Sequence, residues 1–458
     1  MKESIDTIHF YHTNDVHSHF ENWPQISRLL SNRRSEHQAD GEACYVFDIG
    51  DHVDRSHPLT ESTNGMGNVR LLNDAGYDAV TIGNNEGITM SKKALDSLYK
   101  EAHFDIILAN LYESNGKRPD WAVPYKIYVT AKGTKIGVIG ATAQYTDFYS
   151  QLGWKISPPR AKLIEFAEML QQKTDVIVCL SHMGLSEDEL LATECNSIDV
   201  LFGAHTHHLF LEGRLVKDTL LAATGKFGAF TGHVTVRFDT TAKRIMERDA
   251  VLYPSESLPI SEADQQKMTE IITNGEIGME ERVFYNPSLL RQELFAPGPL
   301  SSFFSRALIS HTGADCALFN AGIFLKSLKK GWVTKKDLHA CLPHPINPCV
   351  VTLNGDELVE IYKLSLNKEW PLIKIKGLGF RGEIMGSIIY GNLSMNKDGR
   401  LFIGNKMVVT SGIYRLATLD MFTYGFFFPS LKDAEKEYFM PELIRDIVAT
   451  YGRDDYLE

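Results

Sequence analysis

Five short apolar runs, each ending in side chains that commonly bind metals, constrain the fold of this chain more than any other feature. The runs are rich in β-branched residues, and each passes directly into a polar loop. Such runs predict buried strands of a parallel sheet. Because α/β sheets place their ligands at the carboxyl ends of the strands, we expect the five polar segments to meet there. These segments are Asp15-Val16-His17, Gly50-Asp51, Gly83-Asn84-Asn85-Glu86, Ser181-His182 and Gly203-Ala204-His205-Thr206-His207.

The length of the chain and a change in its composition predict two domains joined by a linker. A chain of 458 residues exceeds the size at which a single core keeps growing. Strand and helix patterns alternate to about Tyr253, which predicts a layered α/β domain. A turn-rich boundary follows, then a predicted linker helix from Ser261 toward Asn274. A helix at Pro299–Thr312 opens a mixed α+β region. The predicted domains are residues 1–253, 254–285 and 286–458.

Charge and cysteine usage exclude several classes of protein. The formal net charge of −11 argues against a general binder of nucleic acid or anionic membranes, because such proteins carry basic stripes. The 6 cysteines have no CxxC spacing, and several lie in apolar runs, which predicts reduced core residues. The first residues lack a signal-peptide pattern, and no apolar run is long enough to cross a bilayer. We therefore expect a soluble cytoplasmic protein.

The strand-end residues supply the donors that a pair of divalent metal ions requires. Two such ions can bind the attacking and leaving oxygens of a displacement at phosphorus and lower the pKa of a bridging water. The mixture of nitrogen and oxygen donors suits Zn, Mn, Fe or Co better than calcium, and the sequence does not choose among them. The proposed ligands are Asp15, His17 and His207 for one ion, Asn84, His182 and His205 for the other, and Asp51 between them.

These five blocks resemble those of the calcineurin-like metallophosphoesterases. Their order, their strand context and the region that follows are similar to the 5'-nucleotidase family. The resemblance implies a four-layer catalytic domain, a helical linker and a smaller C-terminal domain that recognises the nucleoside. It also implies a small phosphoester substrate derived from a nucleotide. The activities known in the family include 5'-nucleotidase, 2',3'-cyclic phosphodiesterase and nucleotide-sugar hydrolase.

One block departs from the family pattern. Where the family has Gly-Asn-His followed by Glu or Asp, this chain has Asn85 in place of the His. The resemblance gives that His the task of stabilising developing charge or protonating the leaving oxygen. An amide cannot carry a proton at neutral pH, and loss of general acid catalysis costs on the order of 10²–10⁴ in rate. His19, His52 and His208 are candidate replacement acids or ordinary neighbours of the ligands.

A second departure places an arginine after the second block. The segment from Gly50 to Arg55 is similar to the Gly-Asp-x-Val-Asp-Arg block of the Ser/Thr phosphatase branch. In that branch the arginine holds the phosphate through two hydrogen bonds, a geometry that guanidinium suits. We therefore predict Arg55 as a catalytic contact to phosphate alongside Asn85. An ordinary surface or helix-capping arginine is the alternative.

The second domain contains a partial match to the nucleotide-binding segments of the family. Asn320 and Gly322 match, but Phe324 occupies the position of an expected arginine. The resemblance predicts a base held between two aromatic rings, for which the candidates are Phe380 and one of Phe426, Phe427 or Phe428, with Phe427 chosen. Stacking contributes about 1–3 kcal/mol per base and tolerates any base. Arg381 is a candidate replacement for the missing arginine. Core packing of the Phe426–Phe428 rings and a surface salt bridge of Arg381 are the alternatives.

Together these features predict a binuclear metallophosphoesterase acting on a nucleotide or nucleotide derivative. We expect it to be weak on monoesters because Asn85 leaves the departing alkoxide unprotonated. Two alternatives remain open. One is a catalytically inactive member of the family that binds metal and ligand. The other is an enzyme using the same metals for another reaction, such as hydrolysis of a thiosulfate ester or a phosphonate. The sequence does not indicate an oligomeric state.

Overall fold

The computed structural model describes residues 5–455 and contains two compact units. The first unit extends through Gly275 and the second begins at Glu276. The division falls inside the last helix of the first unit. The predicted domain boundaries at residues 253 and 285 stay predictions.

The first unit alternates strands and helices as its sequence pattern predicts. Its strands are β1 (Ile5–Thr13), β2 (Ala43–Asp48), β3 (Ala79–Val80), β4 (Asp105–Ile106), β5 (Leu111–Glu113), β6 (Tyr125–Val129), β7 (Lys135–Thr142), β8 (Trp154–Ile156), β9 (Val176–His182), β10 (Val200–Gly203), β11 (Arg214–Val216), β12 (Thr219–Ala222), β13 (Phe230–Asp239) and β14 (Arg244–Pro254). Its helices are α1 (Trp23–Ala39), α2 (Pro58–Thr63), α3 (Met66–Asp74), α4 (Asn84–Ile88), α5 (Lys92–Leu98), α6 (Thr146–Gln151), α7 (Pro159–Gln171), α8 (Leu185–Glu194) and α9 (Glu262–Ile277).

The strands of this unit form two mixed sheets of six strands, and their parallel parts contain the strands predicted from the apolar runs. The first sheet has the order β14-β13-β1-β2-β3-β4, and the second has the order β11-β12-β10-β9-β7-β6. Within the first sheet β1 to β4 are parallel, while β13 and β14 join as an antiparallel hairpin. The five predicted metal-binding segments therefore come from both sheets, because β9 and β10 belong to the second.

The two sheets pack face to face through apolar side chains that alternate along the strands. In β1, Ile8 and Phe10 are fully buried between the sheets. Phe202 of β10 contacts the rings of Phe10 and Phe47, with centroids 6.3 and 6.2 Å apart, so it joins one sheet to the other. On the far face of the second sheet, Leu163 and its neighbours on α7 form a separate core. With α1 against β2 on the other side, the unit has four layers.

The second unit is mixed α+β. Its strands are β15 (Arg282–Asn286), β16 (Cys316–Asn320), β17 (Gly331–Thr334), β18 (Pro348–Asn354), β19 (Ile388–Gly391), β20 (Leu393–Met395), β21 (Leu401–Ile403), β22 (Lys406–Met407), β23 (Ile413–Leu419) and β24 (Lys436–Tyr438). Its helices are α10 (Pro299–Thr312), α11 (Lys335–Cys341), α12 (Gly355–Leu364) and α13 (Ile444–Asp455). The main sheet has the order β19-β16-β23-β18-β24, and α10 covers the predicted range.

The cysteines are unpaired, and most of them lie in the core. All six cysteines are free thiols, and every one except Cys44 is buried. Across residues 5–455, no helix combines the length and the apolar composition that a membrane crossing requires.

The contact between the sheets predicts a large cost for truncating Phe202. Replacing a buried Phe with Ala costs about 3–5 kcal/mol because a cavity remains. We expect Phe202→Ala to lower the free energy of unfolding by that amount in urea titrations. Leu211→Ala, at a side chain that is 64% exposed, is the control and should change it little. A similar small change for both variants would contradict this account of the packing.

Candidate functional site

The predicted metal ligands converge at the ends of strands from both sheets. One possible ligand atom from each of Asp15, His17 and His207 lies within 4.8 Å of the others, and the same holds for Asp15, Asp51 and His182. Asp15 therefore belongs to both groups. The backbone N–H of His205 lies 3.1 Å from Oδ2 of Asp15. The structure thus brings these predicted ligands to one buried place.

The backbone at these ligands adopts a conformation that is unusual for side-chain-bearing residues. The φ angles of five ligands lie between 49° and 72°. A non-glycine residue in this region costs of order 1–3 kcal/mol, and such residues cluster at functional sites. The first two loops hold each other in place, because the N–H of Asp15 donates to the carbonyl of Gly50 at 3.0 Å and the N–H of His17 donates to that of Asp51 at 2.8 Å. The five ligands are Asp15, His17, Asp51, His205 and His207.

Two buried ligand atoms point to metal ions. Among the described residues, Nε2 of His182 and Oδ1 of Asn84 are buried without a hydrogen-bond partner. Nδ1 of His182 lies 2.7 Å from the carbonyl of Ile49, so Nδ1–H donates and Nε2 faces the site and the carboxylate of Asp51, 3.5 Å away. A metal-binding His is held by its other nitrogen in this way. The unpaired donors fit divalent ions, which would bind what the protein leaves unsatisfied.

Burial and neighbouring charges shift the pKa values of the histidines at the site. Burial alone would lower the pKa of His182, but the carboxylates of Asp51 and Asp15 outweigh it and raise that pKa to about 10. Burial lowers the pKa values of His205 and His207 to about 4, with His182 and His17 adding to the effect respectively. These two imidazoles are therefore neutral ligands at pH 7. A metal ion binding at His182 must displace a proton.

Asn85 lies beside two predicted metal ligands, Asp51 and His17. Its backbone N–H donates to Oδ1 of Asp51 at 2.7 Å, and its amide Nδ2 lies 2.8 Å from Nδ1 of His17. If the amide is turned by 180°, its oxygen accepts from Nδ1–H, which is the tautomer that leaves Nε2 of His17 free to bind metal. The carboxylate of Asp54 lies 3.6 Å from the same Nδ1. The contacts of Asn85 therefore orient Asp51 and His17, and its predicted catalytic role stays a prediction.

Arg55 is paired with a neighbouring carboxylate. Its Nε and Nη2 donate to the two oxygens of Glu61 at 2.8 and 3.0 Å, and Nη1 donates to the carbonyl of Thr89. A substrate phosphate would have to replace Glu61 in this pair. Arg55 as a phosphate contact therefore also stays a prediction.

The three candidate replacement acids have different surroundings. His52 is buried against Trp23, with ring centroids 4.7 Å apart, and burial lowers its pKa to about 3. Nδ1 of His208 lies 3.0 Å from the hydroxyl of Thr206, and its ring lies near Phe210. The His19 side chain is 40% exposed. Of the three, His19 is the one open to solvent beside a ligand loop.

Glu86 supports the predicted ligand loops in a way that the sequence does not predict. Its carboxylate accepts the backbone N–H groups of Asp51 at 3.0 Å, Val53 at 2.8 Å and Gly83 at 2.9 Å. It therefore joins the loop that carries Asp51 to the loop that carries Asn84. Burial, together with Asp51, raises the pKa of Glu86 to about 7. The spacing Gly83-x-x-Glu86 is that of a capping box, and this local signal could have identified it.

Two aromatic side chains at the site carry no signal in the sequence. The hydroxyl of Tyr145 lies 3.2 Å from Nε2 of His205, at one wall of a cavity of about 680 Å³ that Arg160 also lines. Phe227 has a φ of 62° and lies 5.8 Å from the ring of His17. Both residues follow loops whose course depends on distant contacts, so no local pattern marks them.

Comparisons with known proteins identify the family. Residues 8–209 match the family model described as calcineurin-like phosphoesterase, and residues 283–369 match that of the 5'-nucleotidase C-terminal domain. The chain is 39% identical over 463 residues to YunD, an uncharacterized metallophosphoesterase of Bacillus subtilis (strain 168), and the alignment covers 98% of this chain and 99% of YunD. The chain belongs to the calcineurin-like metallophosphoesterases with a 5'-nucleotidase C-terminal domain. As a member, it is a metallophosphoesterase, an enzyme that hydrolyses phosphoester bonds and uses divalent metal ions.

Two solved structures share the fold of this metallophosphoesterase. The 5'-nucleotidase precursor of Thermus thermophilus aligns with a TM-score of 0.59 and 19% identity over 98% of this chain and 97% of that one. The NAD nucleotidase NadN of Haemophilus influenzae aligns with a TM-score of 0.66 and 16% identity over 99% of this chain and 97% of that one. The predicted fold class is thereby confirmed.

Three of the predicted nucleotide-binding residues of this metallophosphoesterase contact other residues of the second unit. Asn320 is buried, and its amide donates to the carbonyl of Met385 while its Oδ1 has no hydrogen-bond partner among the described residues. Phe380 is buried and stacks on His344, with centroids 5.1 Å apart. The backbone N–H of Arg381 donates to Nδ1 of the same His344. Asn320 and Phe380 are therefore buried in the second unit, and the backbone of Arg381 is held by His344.

Phe427 lies in the hydrophobic core of the second unit. It is 5% exposed and contacts Phe422 and Trp370, whereas Phe426 is 73% exposed. Core side chains therefore enclose Phe427, whereas Phe426 presents an exposed ring. The core alternative considered from the sequence describes Phe427 better.

The contacts of Glu86 predict that replacing it affects both the stability of the protein and its affinity for metal ions. In Glu86→Gln the amide nitrogen cannot accept, so at least one N–H of the two loops loses its partner. We expect the free energy of unfolding to fall by about 1–3 kcal/mol and metal affinity to fall about 10–100-fold. Urea unfolding and metal titration would measure both. Glu101→Gln, at an exposed carboxylate, is the control, and unchanged metal affinity in Glu86→Gln would contradict the proposed role.

His182 generates a prediction on pH in the chelator-treated protein. Because the folded state raises the pKa of His182 to about 10, its proton stabilises the folded protein. That stabilisation is complete below the unfolded pKa of about 6.5, decreases as the pH rises and is lost above about 10. We expect wild-type protein to lose more stability between about pH 6 and about pH 9 than His182→Gln does, with urea unfolding as the measurement. The exposed variant His103→Gln is the control and should behave as wild type. Equal losses of stability in wild type and His182→Gln would contradict the stabilising role of the His182 proton.

Proposed function

We propose that this metallophosphoesterase hydrolyses diesters or anhydrides of nucleotides with two divalent ions at the strand-end site. The observation that carries the proposal is the convergence of Asp15, Asp51 and His182 with donors that the protein leaves unpaired. Zn, Mn, Fe or Co would suit this mixture of imidazole, carboxylate and amide donors. The ligand set we propose is Asp15, His17 and His207 for one ion, Asn84, His182 and His205 for the other, and Asp51 for both.

The residues around the ions would keep the reaction geometry fixed. When bound, divalent ions polarise a phosphoryl oxygen and lower the pKa of a water. The carbonyl of Ile49 holds Nε2 of His182 toward the site, and the N–H of Asn85 holds one oxygen of Asp51. With its amide turned by 180°, Asn85 would accept from Nδ1–H of His17 and leave Nε2 of His17 to bind an ion. Such preorganised contacts cost no rearrangement during the reaction.

The leaving group follows from the chemistry of Asn85. An amide that contacts His17 and carries no titratable proton cannot protonate a departing alkoxide. Substrates whose leaving group is already a stable anion, such as the phosphate of an anhydride, do not need that proton. The name of the similar NAD nucleotidase supports a nucleotide derivative of this type. Arg55 would bind the substrate phosphate if the phosphate displaces Glu61.

Recognition of the nucleoside belongs, in this proposal, to the second unit. Oδ1 of Asn320 is a buried acceptor without a partner among the described residues, and Phe426 presents an exposed ring. Arg381 adds a positive charge near Phe380. The buried free thiols support a reducing, cytoplasmic location for the reaction.

The test is product release by protein loaded with manganese or zinc, with Asn85→His assayed beside the wild type. The panel is AMP, a dinucleotide, a nucleotide sugar, a cyclic nucleotide and an aryl diester. We expect the wild type to prefer anhydrides or diesters over AMP by on the order of 100-fold, and Asn85→His to gain activity on AMP. Asn115→His, at an exposed asparagine, is the control for a new histidine elsewhere.

Two outcomes would replace this proposal. Turnover of AMP comparable with that of the aryl diester would show that the leaving group needs no acid from position 85. A wild type that binds metal but turns over nothing, while Asn85→His is active, would favour a catalytically inactive binding protein. Two observations favour the inactive binding protein as the second candidate function. Asn85 has no titratable proton, and Arg55 is already paired with Glu61.

A further inference from the structure

Three histidines from distant parts of the first unit form a second cluster, away from the strand ends. His9 lies in β1, His37 in the last turn of α1 and His233 in β13, and one ring nitrogen of each lies within 4.8 Å of the others. In β1, Ile8 and Phe10 face the core between the sheets, so His9 points to the opposite face, where α1 packs. The proposed reaction uses none of these histidines.

The hydrogen bonds within the cluster leave one proton between two ring nitrogens. Nε2 of His9 lies 2.8 Å from Oε2 of Glu42, and Nδ1 of His9 lies 2.9 Å from Nε2 of His233. An ionised carboxylate can only accept, so Nε2 of His9 carries the hydrogen and Nδ1 presents a lone pair. The proton between His9 and His233 therefore belongs to His233. A metal ion that binds both nitrogens would take the place of that proton.

His37 supplies a third imidazole. Its ring stacks on that of His9, with centroids 3.6 Å apart and planes 15° apart. Its Nδ1 lies 3.5 Å from Oε2 of Glu42, and its Nε2 lies 3.0 Å from the hydroxyl of Tyr11. The side chain is partly exposed at the end of α1, so rotation about its side-chain bonds can turn a nitrogen toward the other two.

The surroundings keep the imidazoles of His37 and His233 neutral, as metal ligands must be. Burial and the neighbouring His9 lower the pKa of His37, and burial with His9 and His37 lowers that of His233 to about 3. Burial opposes ionisation of Glu42, but His9 holds the pKa of Glu42 below its usual value. A carboxylate bound to the outer nitrogen of a His is the arrangement that orients His ligands in metal sites.

We propose that His9, His37 and His233 form an additional binding site for a divalent transition metal such as Zn²⁺, with Glu42 orienting His9. Three imidazole donors suit zinc, and Zn–N distances of about 2.0–2.1 Å require only a small separation of the paired nitrogens. An ion here would join α1 to β1 and β13, and it would stabilise the folded state because the unfolded chain lacks the site.

The test uses Zn²⁺ as the probe and the full chain. Wild type, His233→Asn, His37→Gln and the exposed control His103→Gln are equilibrated with Zn²⁺ and dialysed, and bound zinc is counted by elemental analysis. We expect both cluster variants to lose about one zinc per chain and the control to lose none. Because the strand-end ligands are intact, turnover of the preferred substrate should be unchanged in these variants.

A second measurement keeps the inference independent of how well the variants fold. Anomalous diffraction at the zinc edge from wild-type crystals soaked in Zn²⁺ should give a peak between the three rings. Wild-type zinc content in both cluster variants, or no anomalous peak at these rings in the zinc-soaked crystals, would overturn the proposal. The strand-end ions are counted separately by their own anomalous peaks, so failure of the proposed function would not be mistaken for failure of this site.

Discussion

The structure of the site depends on keeping the carboxylate of Asp51 ionised in a buried place. A buried charge is unfavourable unless other groups pair with it. Here Nε2 of His182 lies 3.5 Å and Nε2 of His17 lies 3.7 Å from Oδ2 of Asp51, and the N–H of Asn85 donates to its other oxygen. The partners come from three separate segments of the chain. The loops must therefore converge, and Glu86 secures them by accepting N–H groups from two.

The rest of the first unit provides the rigid support that this convergence needs. Ligands with left-handed backbone conformations persist only where surrounding contacts outweigh the strain. The packing of two sheets through Phe202 and Phe10 fixes the strand ends relative to one another. Asp15 and Asp51 then occupy strained positions at the ends of fixed strands. The predicted metal ligands therefore lie on the loops, while the apolar packing between the sheets stabilises the fold.

The same ligand framework can serve different substrates through changes beside it. Asn85 contacts Asp51 and His17 but has no titratable proton. Arg55 offers a guanidinium near the site, yet Glu61 already neutralises it. In the proposed function, metal binding and choice of leaving group would be separable, because the proposed ligands and the residue at the position of the family histidine are different side chains.

The sequence by itself determined the strand ends, the order of the metal-binding blocks and helices such as Pro299–Thr312, because periodicity, turns and caps are encoded within a few residues. The tertiary structure decided that the strands divide between two sheets, that Arg55 pairs with Glu61 and that Phe427 is a core residue. It also brought His9 and His233 together from positions far apart in the chain. These outcomes depend on contacts between segments distant in sequence, and no local pattern specifies which distant side chain will be the partner.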